Sequence, residues 1–379
     1  MTTLRSSSGT QVVLGRVLKG GGEALIYEVV GRRDVVAKVF RPAYRAAYPQ
    51  KLQWMIAHPP LGGKRAPGLA WPMETLFVNG TTLAGYVMPR VDDAVELLDV
   101  LNPRRRAQVA PGFDLRYLHR TARNLAAVME AVHAAGYVIG DVNERNVLVG
   151  RTAEVTLVDT DSFQVCEVRN GRRLVYPCPV GRLEYSAPER LRAGTGSGAR
   201  SACEDTYSLG VLTFQLLMGG SHPFRARWGA PGDVPELGTR VMSGCFPHQA
   251  RPPCPASPPA GVELQRLHPR LQALVQRCFV DGHHNPERRP AAAEWRAALE
   301  EAERALACCR RGHWYSGHLT RCPECAVGRR RATVARSGGV LENRLETVLA
   351  RVSDAWALAA FVSATVVAVL LLTVYMGVQ

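Results

Sequence analysis

The N-terminal part of the chain alternates apolar and polar residues in short runs that glycines interrupt. Runs with the period of a β-strand span residues 11–18, 24–30 and 34–40. Further along, Glu74 to Met88 contains Asn79-Gly80, a dipeptide typical of a hairpin turn. The pattern predicts a small, mostly antiparallel β-rich lobe, with a helix over residues 42–57 between its strands.

The next part of the chain shows the helical period. Apolar residues recur at helical spacing from Asp114 to Ala135, and Asp114 is placed to cap the first turn. Short strands are predicted at Val147 to Val149 and at Val155 to Val158, and another apolar helix runs from Asp205 to about Met218. The proline-rich residues 246–261 predict a surface loop. A larger helical lobe therefore follows the β-rich one.

The C-terminal stretch from Ala355 to Met376 carries no charged residue. A helix of this length spans about 30 Å, the thickness of the hydrocarbon core of a bilayer, so it predicts one transmembrane helix. A buried core helix is the alternative. Arginines are frequent in residues 329–354, so the positive-inside tendency predicts a single-pass C-terminal anchor in the inner (plasma) membrane, with the body of the chain in the cytoplasm. No N-terminal segment resembles a signal peptide.

Charge and cysteine content refine this picture. The formal net charge is +14, but only Lys19, Lys38, Lys51 and Lys64 are lysines, which indicates an arginine-rich composition more than a dedicated binding face. A nucleic-acid partner is therefore not expected. The 10 cysteines of a cytoplasmic chain are expected to be mostly reduced thiols or metal ligands.

A glycine turn and a lysine in a strand are the first candidates for phosphate chemistry. Gly20, Gly21 and Gly22 lie between two predicted strands, where backbone N–H groups can approach phosphate oxygens, although a plain hairpin turn looks similar. Lys38 follows in an apolar strand. Because a buried lysine without an anionic partner is costly, Lys38 is predicted to reach a phosphate.

Oxygen-bearing side chains supply the complementary chemistry. Asp141 and Asn146 lie between the long predicted helix and the next strand, and Asp159 ends the strand after that. Phosphoryl transfer from ATP needs a carboxylate that orients the attacking hydroxyl, and oxygen ligands for Mg²⁺. An isolated Asp-x4-Asn is more often a capped turn, but its spacing to Asp159 together with Lys38 favours one metal–phosphate site.

Cysteines and histidines cluster in residues 306–328. Cys322-Pro323-Glu324-Cys325 is typical of a zinc knuckle, and Cys309 with His313 gives a second ligand pair, for which Cys308 is an alternative to Cys309. Four nitrogen and sulfur ligands suit tetrahedral Zn²⁺, and so short a segment needs a metal to fold. The sequence predicts a zinc ribbon with a structural metal; reduced surface thiols are the alternative.

Together these motifs resemble a bacterial, eukaryotic-like serine/threonine protein kinase. The resemblance covers residues 10–305 and implies the α+β, two-lobed kinase fold, with an N-lobe over about 10–88 and a C-lobe over about 91–305. Three further residues match positions with a structural role in the kinase fold: Glu189 in Ala-Pro-Glu, Asp205 at the start of the central helix, and Arg289, which would pair with Glu189.

The resemblance implies ATP and a protein serine or threonine hydroxyl as substrates, in cytoplasmic signalling at the membrane. Asp141 would be the catalytic base, Lys38 would hold the α- and β-phosphates, and Asn146 and Asp159 would bind Mg²⁺. The implied ATP-binding residues are Gly20, Gly21, Gly22, Lys38, Met88 and Arg90, the last two near the adenine.

Several positions depart from the family pattern. Lys19 and Ala24 stand where glycines are expected, and Asp161 takes the glycine position of Asp-Phe-Gly. Ile139-Gly140 replaces the usual His-Arg before Asp141, and Asn143 stands where a γ-phosphate lysine is usual. These changes leave the clamp on phosphate less well defined.

The helix after Lys38 also lacks the glutamate that would pair with this lysine. No Asp or Glu occurs between Asp34 and Glu74, and Gln50 is the nearest polar candidate. A catalytically weak or inactive pseudokinase scaffold that binds nucleotide is therefore the alternative function. A zinc-ribbon nucleic-acid adaptor is a third hypothesis, and the ribbon's few aromatic residues argue against it.

Overall fold

The computed structural model describes residues 2–44, 49–60, 67–194, 196 and 198–326. The chain divides into two structural units, residues 1–319 and 320–379. Residues 320–326 are the described part of the second unit, and there the backbone N–H of Ala326 donates to the carbonyl oxygen of Cys322 at 3.2 Å. The strands and helices given below all belong to the first unit.

The first strands close into an antiparallel barrel. They are β1 (Thr3–Ser6), β2 (Gln11–Gly20), β3 (Ala24–Val29), β4 (Arg32–Phe40), β5 (Glu74–Val78) and β6 (Thr82–Pro89). The order around the barrel is β1-β2-β3-β4-β6-β5, and β5 pairs back to β1. Alternate side chains such as Val12, Val35 and Leu76 point inward and form an apolar cluster. The strands predicted from alternation and the turn at Asn79-Gly80 are confirmed.

The barrel begins earlier than the sequence predicted. Thr3–Ser6 form β1, which pairs with β2 on one side and β5 on the other, so the strand lies before the expected boundary near residue 10. Leu4 and Ser6 are buried by these pairings. The residues around them are polar, and their strand conformation depends on partners far along the chain, which periodicity does not report.

Helices lie between β4 and β5 and throughout the chain after β6. The α-helices are α1 (Pro49–Ala57), α2 (Leu97–Leu101), α3 (Pro103–Val109), α4 (Leu115–Ala134), α5 (Pro188–Ala193), α6 (Ala202–Leu217), α7 (Leu237–Met242), α8 (Pro269–Gln276), α9 (Gly282–His284) and α10 (Ala292–Arg304). Asp114 caps α4 as predicted, because its carboxylate accepts from the backbone N–H of Arg116 at 2.9 Å. α4 packs against α6 and α10, and Met129, Leu212 and Trp295 share their core.

Short strands connect these helices. They are β7 (Ala94–Glu96), β8 (Val147–Gly150), β9 (Val155–Leu157), β10 (Val165–Arg169), β11 (Arg172–Tyr176), β12 (Arg227–Trp228), β13 (Ala256–Ser257), β14 (Leu306–Cys308) and β15 (Trp314–Ser316). β7, β8 and β9 form one antiparallel sheet with β8 in the middle, and the other strands pair as hairpins or short ribbons. The predicted strands β8 and β9 are confirmed, and the loops at their ends carry the candidate site.

The predicted loop over residues 246–261 contains one feature that the sequence did not indicate. Cys245 and Cys254 are joined by a disulfide with their Cα atoms 5.7 Å apart. The other eight cysteines, all in the described part of the chain, are not disulfide-bonded, in keeping with the expectation that most are reduced thiols or metal ligands.

The predicted transmembrane helix at 355–376 and the basic linker at 329–354 lie outside the described residues. In the part of the chain that the structure describes, no helix combines the length and the apolar character needed to span a bilayer.

Candidate active site

Lys38 lies in β4, where its backbone pairs with Ile26 on β3 and Tyr86 on β6. Gly85 allows this close pairing, because a Cβ there would overlap the carbonyl oxygen of Lys38. The Lys38 side chain is 12% exposed, and its Nζ lies 3.0 Å from Asp159 Oδ1 and 2.6 Å from Asp161 Oδ1. The structure therefore brings together Lys38 and Asp159, the two residues that the sequence analysis placed at one phosphate site.

Asp161 is held by basic and hydroxyl groups from different segments. Its Oδ1 accepts from Lys38 and, at 2.7 Å, from the hydroxyl of Tyr86. Its backbone carbonyl oxygen accepts from Lys51 Nζ at 2.7 Å. Burial by itself would raise the pKa of Asp161, but the charge of Lys38 and these hydrogen bonds outweigh burial and lower it. The carboxyl group of Asp161 is therefore ionised at neutral pH.

The pKa values of the two lysines in this cluster shift in opposite directions. Burial would lower the pKa of Lys38, but the charges of Asp161 and Asp159 outweigh burial and raise it. Burial lowers the pKa of Lys51 to about 8, because the charge of Asp161 offsets burial only in part and the charge of Lys38 lowers the pKa further. The protonated form of Lys38 is therefore stabilised in the fold, whereas the protonated form of Lys51 is destabilised.

Asp161, the second acid that contacts Lys38, was not predicted from the sequence as a partner of this lysine. Gln50, the candidate named from the sequence, is exposed, and the neighbouring Lys51 is the charged residue that α1 buries. Asp161 was noted only as a replacement for glycine. A signal was available, because a lysine in the helix and an acid at the glycine position are changes that compensate each other in charge.

Asp205 fixes the loop that carries Asp141. Its buried carboxylate accepts from the backbone N–H groups of Ile139 and Gly140, each at 2.7 Å, and lies 2.9 Å from His133 Nε2. Gly140 has a φ of +79°, and a Cβ there would overlap the side chain of Cys178. The absence of an arginine at position 140 therefore fits the loop, which has no room for a side chain at that point.

Arg200, which the sequence analysis did not single out, occupies the space beside Gly140. It is buried, and its guanidinium donates to the carbonyl oxygens of Gly140 at 2.8 Å and Val180 at 2.6 Å. Gln164 pairs with the backbone of Arg200 in both directions, at 2.7 and 2.8 Å. This arginine ties the loop before Asp141 to the segment after β11.

The two carboxylate oxygens of Asp141 differ in their surroundings. Oδ2 accepts from Asn146 Nδ2 at 3.1 Å, whereas Oδ1 is buried and has no hydrogen-bond partner in the described part of the chain. Burial raises the pKa of Asp141, against hydrogen bonds from Asn143 and Asn146 that lower it. Asp141 as a whole is only partly buried, and a carboxylate is the kind of group that can orient an attacking hydroxyl.

Asn143 has a structural place in the same loop. It is 1% exposed, its amide donates to the carbonyl oxygen of Asp141 at 3.2 Å, and its Oδ1 accepts from the backbone N–H of Arg145 at 2.9 Å. The side chain of Arg145 is half exposed and lies 3.8 Å from Glu96. Asn143 therefore shapes the turn between Asp141 and Asn146.

β8 and β9 bring Asn146 and Asp159 to one edge of their sheet. The N–H of Val158 donates to the carbonyl oxygen of Asn146 at 2.9 Å, so Asn146 before β8 and Asp159 after β9 lie at the same end. Asp159 has a left-handed backbone, with φ 57°, and its side chain is 55% exposed. An amide oxygen and an open carboxylate are ligands that suit Mg²⁺, so these residues fit that metal.

The predicted glycine loop joins β2 to β3. The N–H of Gly21 donates to the carbonyl oxygen of Ala24 at 2.9 Å, which closes the turn that also contains Gly20 and Gly22. Lys19, which stands at a position where the family has glycine, pairs with Glu96 of β7 at 2.7 Å. The lysine therefore ties the loop to the sheet that carries Asn146.

The predicted adenine-side residues lie at the end of β6. Met88 is buried there. The guanidinium of Arg90 pairs with Asp92 at 2.6 Å and lies 3.5 Å from Glu28, in a groove that Gly15 also lines. The structure therefore brings the side chain of Arg90 to these acids and not to Lys38 and Asp159.

Glu189 and Arg289 form the pair that the resemblance implied. Their side chains make two parallel hydrogen bonds, at 2.6 and 2.7 Å, and the Arg289 side chain is fully buried. Arg289 also donates to the carbonyl oxygen of Gly282 at 3.0 Å, so the pair ties α5 to the segment before α10.

The cysteines and histidine predicted to bind zinc lie together. Cys309, His313, Cys322 and Cys325 each offer one ligand atom, and these atoms all lie within 4.8 Å of one another. This spacing is compatible with four ligands around one metal ion. Three cysteine thiolates and one histidine imidazole form a donor set that fits Zn²⁺.

Comparison with known proteins agrees with this arrangement. Residues 88–297, which include Asp141, Asn146 and Asp159, match the protein kinase domain. The chain belongs to the protein kinase family. A domain of this family uses ATP and Mg²⁺, and the oxygen ligands and the buried lysine described above fit both.

Curated kinases of bacteria are among the relatives of the chain. It is 31% identical over 334 residues to Protein kinase YegI of Escherichia coli O157:H7, which covers 86% of this chain and 50% of that protein. It is 25% identical over 280 residues to Serine/threonine-protein kinase PknA of Mycobacterium tuberculosis, which covers 70% of this chain and 56% of that protein. The chain thus spans about half the length of these relatives.

Proposed function

We propose that this chain transfers the γ-phosphoryl group of ATP to a serine or threonine hydroxyl of a protein, with Mg²⁺ at the site. The meeting of Lys38 with Asp159, 3.0 Å apart and beside the loop of Asp141 and Asn146, carries the proposal. The names of the relatives, a protein kinase and a serine/threonine-protein kinase, support the reaction and the class of hydroxyl.

Each residue has a chemical role that follows from its surroundings. The carboxylate of Asp141, a residue that is only partly buried, accepts the hydrogen of the attacking hydroxyl and orients its oxygen. The Lys38 cation binds phosphate oxygens, and the oxygens of Asn146 and Asp159 are the metal ligands. The metal neutralises part of the phosphate charge when it is bound.

The test is phosphate incorporation from labelled ATP in the presence of Mg²⁺ and a generic protein substrate. We expect the full chain to label the substrate and Asp141→Asn to lower the rate by about 10²- to 10⁴-fold, the usual contribution of a general base. Glu300→Gln is the matched control, because Glu300 is exposed on α10 and its side chain only pairs with Arg304 at 3.8 Å. Equal labelling by the wild-type chain and Asp141→Asn would reject catalysis at this site.

A nucleotide-binding scaffold with weak or no turnover is the second candidate function. It is favoured by the composition of α1, which has no acidic residue and buries Lys51. Such a scaffold would bind ATP without labelling any substrate. Turnover that Lys38→Met abolishes would exclude it.

The Cys309, His313, Cys322 and Cys325 cluster is proposed to hold a structural Zn²⁺, because its four ligand atoms are mutually close and chemically suited to this ion. Elemental analysis of the purified chain should find about one zinc per chain, and Cys322→Ser should lower it. Zinc content that is unchanged in Cys322→Ser, or absent from the wild-type chain, would contradict the site.

Attachment to the plasma membrane is proposed from the uncharged stretch 355–376, with the kinase domain on the cytoplasmic side. In fractionated bacterial cells, the full chain should stay with the membranes after alkaline washing, and a variant without 355–376 should not. Release of both by the same wash would refute the anchor.

A further inference from the structure

The environment of Lys38 contains a charge exchange between α1 and the segment after β9. In the family pattern the helix carries an acid, and a glycine stands two positions after the metal-binding aspartate, as the third residue of Asp-Phe-Gly. Here α1 presents Lys51, which is 3% exposed, and Asp161 stands at the glycine position. The helix therefore has a buried base and no acid, and the segment after β9 has an acid where the family pattern has glycine.

Two acids contact Lys38, and their surroundings separate their roles. Asp159 is 55% exposed and is the metal ligand of the proposed site. Asp161 is 15% exposed, lies closer to Lys38 at 2.6 Å, and also accepts from the hydroxyl of Tyr86 at 2.7 Å. When Asp159 binds a metal cation, Asp161 is still available as the ion-pair partner of Lys38.

We propose that Asp161 is the residue that positions Lys38 for the nucleotide phosphates, in place of the helix glutamate, and that Lys51 completes the exchange by fastening α1 to the backbone of Asp161. The proposal rests on the proposed phosphoryl transfer for its catalytic consequence. Its structural part, the Lys38–Asp161 pair, stands on the geometry alone.

The two lysines have different tasks in this arrangement. Lys38 Nζ spans the two carboxylates, whereas Lys51 Nζ donates to the main chain of Asp161 at 2.7 Å. Lys51 thus fixes where the Asp161 backbone lies, and the Asp161 side chain fixes where the Lys38 amine lies. Asp161 is a positioning residue, since it acts on the phosphates through Lys38.

The catalytic consequence is measured with Asp161→Asn, which keeps the size of the side chain and its acceptor for Tyr86 but removes the charge. We expect kcat/KM for ATP to fall by roughly 10- to 100-fold, the worth of a hydrogen bond to a charged group, while KM for the protein substrate stays unchanged. A merely structural role would not separate the two substrates in this way. Wild-type kinetics in a folded Asp161→Asn would overturn the positioning role.

Moving the acid back to the helix tests the exchange directly. Asp161→Gly and Lys51→Glu are each expected to lower kcat/KM for ATP, and the double variant is expected to exceed both, because it restores an acid on α1 and a glycine after β9. A folded double variant that is no more active than the weaker single variant would contradict the exchange.

The pair itself is tested without nucleotide by the melting temperatures of Lys38→Met, Asp161→Asn and the double variant. If the pair is direct, the double variant loses less than the sum of the single losses, by roughly 2–6 °C. The matched cycle of Lys38→Met with Asp159→Asn should be closer to additive, because Asp159 is half exposed. Additive losses for Lys38 and Asp161, or a larger coupling to Asp159, would overturn the pair.

These measurements separate the inference from the proposed function. A wild-type chain that transfers no phosphate would reject the proposed function and, with it, the positioning role, while the melting cycle still decides whether Asp161 is the partner of Lys38. A chain that transfers phosphate but shows no coupling between the two residues would reject the inference and leave the proposed function standing.

Discussion

Replacing Glu189 by glutamine isolates the contribution of a buried ion pair to this fold. Arg289 is fully buried and donates to both carboxylate oxygens of Glu189, at 2.6 and 2.7 Å, while its guanidinium lies 5.2 Å from the ring centre of Tyr207. Glu189→Gln keeps the size of the side chain and one acceptor oxygen. It leaves the guanidinium of Arg289 buried beside a neutral partner.

The expected loss in the free energy of unfolding follows from how deeply the side chains of Glu189 and Arg289 are buried. Removing one partner of a fully buried ion pair costs about 3–5 kcal/mol. The Glu189 side chain is 31% exposed, so solvent screens part of the charge, and we reduce the expected loss to about 2–3 kcal/mol. For a domain of this size such a loss lowers the melting temperature by roughly 4–12 °C.

The assay is thermal unfolding followed by circular dichroism, with Glu300→Gln as the matched control. Glu300 lies 3.8 Å from Arg304 one helical turn away in α10, and both side chains are exposed. That pair is expected to contribute only about 0.3–0.5 kcal/mol. If Glu189→Gln melted no lower than Glu300→Gln, the burial argument for the Arg289 pair would be refuted.

Three further outcomes follow from individual side chains. The pKa of Lys51 falls from 10.5 to about 8 on folding, so the unfolded chain binds more protons than the folded chain between these pH values. In urea unfolding, the free energy of unfolding of the wild-type chain should therefore rise by up to about 3 kcal/mol relative to Lys51→Met as the pH increases from 8 to 10.5. The absence of a relative rise would contradict this. Since burial raises the pKa of Asp141 above 3.8, the acid limb of the kcat profile should lie above that value; a limb below it would refute the assignment. Arg200→Met leaves buried carbonyls without donors and should lower the melting temperature by roughly 4–12 °C; an unchanged value would show that the contacts of Arg200 with Gly140 and Val180 contribute nothing.

Local signals predicted the parts of the fold that local interactions determine. Alternation gave β2 to β6, and the cap at Asp114 marked the start of α4. β1 has no such signal, because Thr3–Ser6 become a strand only by pairing with β2 and β5. Its backbone hydrogen bonds are decided by residues far along the chain.

The candidate site likewise contains residues that local sequence signals predicted and contacts that depend on residues distant in the chain. Lys38, Asp141, Asn146 and Asp159 were found together because each chemical type stands at a fixed spacing from a predicted strand. The pairing of Lys38 with Asp161 could not be predicted in that way, because it depends on which side chains turn inward once α1 packs on the barrel. A lysine in a short helix, such as Lys51, is usually solvated, and its sequence neighbours do not show that it is buried.

The role of Arg200 was hidden for a related reason. The sequence showed that Gly140 lacks a side chain but not what fills the space beside it. An arginine just before α6 is unremarkable among the many arginines of this chain, and its contacts with Gly140 and Val180 join segments distant in sequence.

The effect of Mg²⁺ on ATP affinity tests the shared metal–nucleotide site most directly. Isothermal titration calorimetry of the full chain, Asp159→Asn and the control Glu300→Gln would give ATP dissociation constants with and without Mg²⁺. We expect Mg²⁺ to tighten ATP binding by roughly 5- to 150-fold in the wild-type chain and in Glu300→Gln, and to have little effect in Asp159→Asn. An equal effect of Mg²⁺ on the wild-type chain and Asp159→Asn, or no binding of ATP by the wild-type chain, would contradict the site.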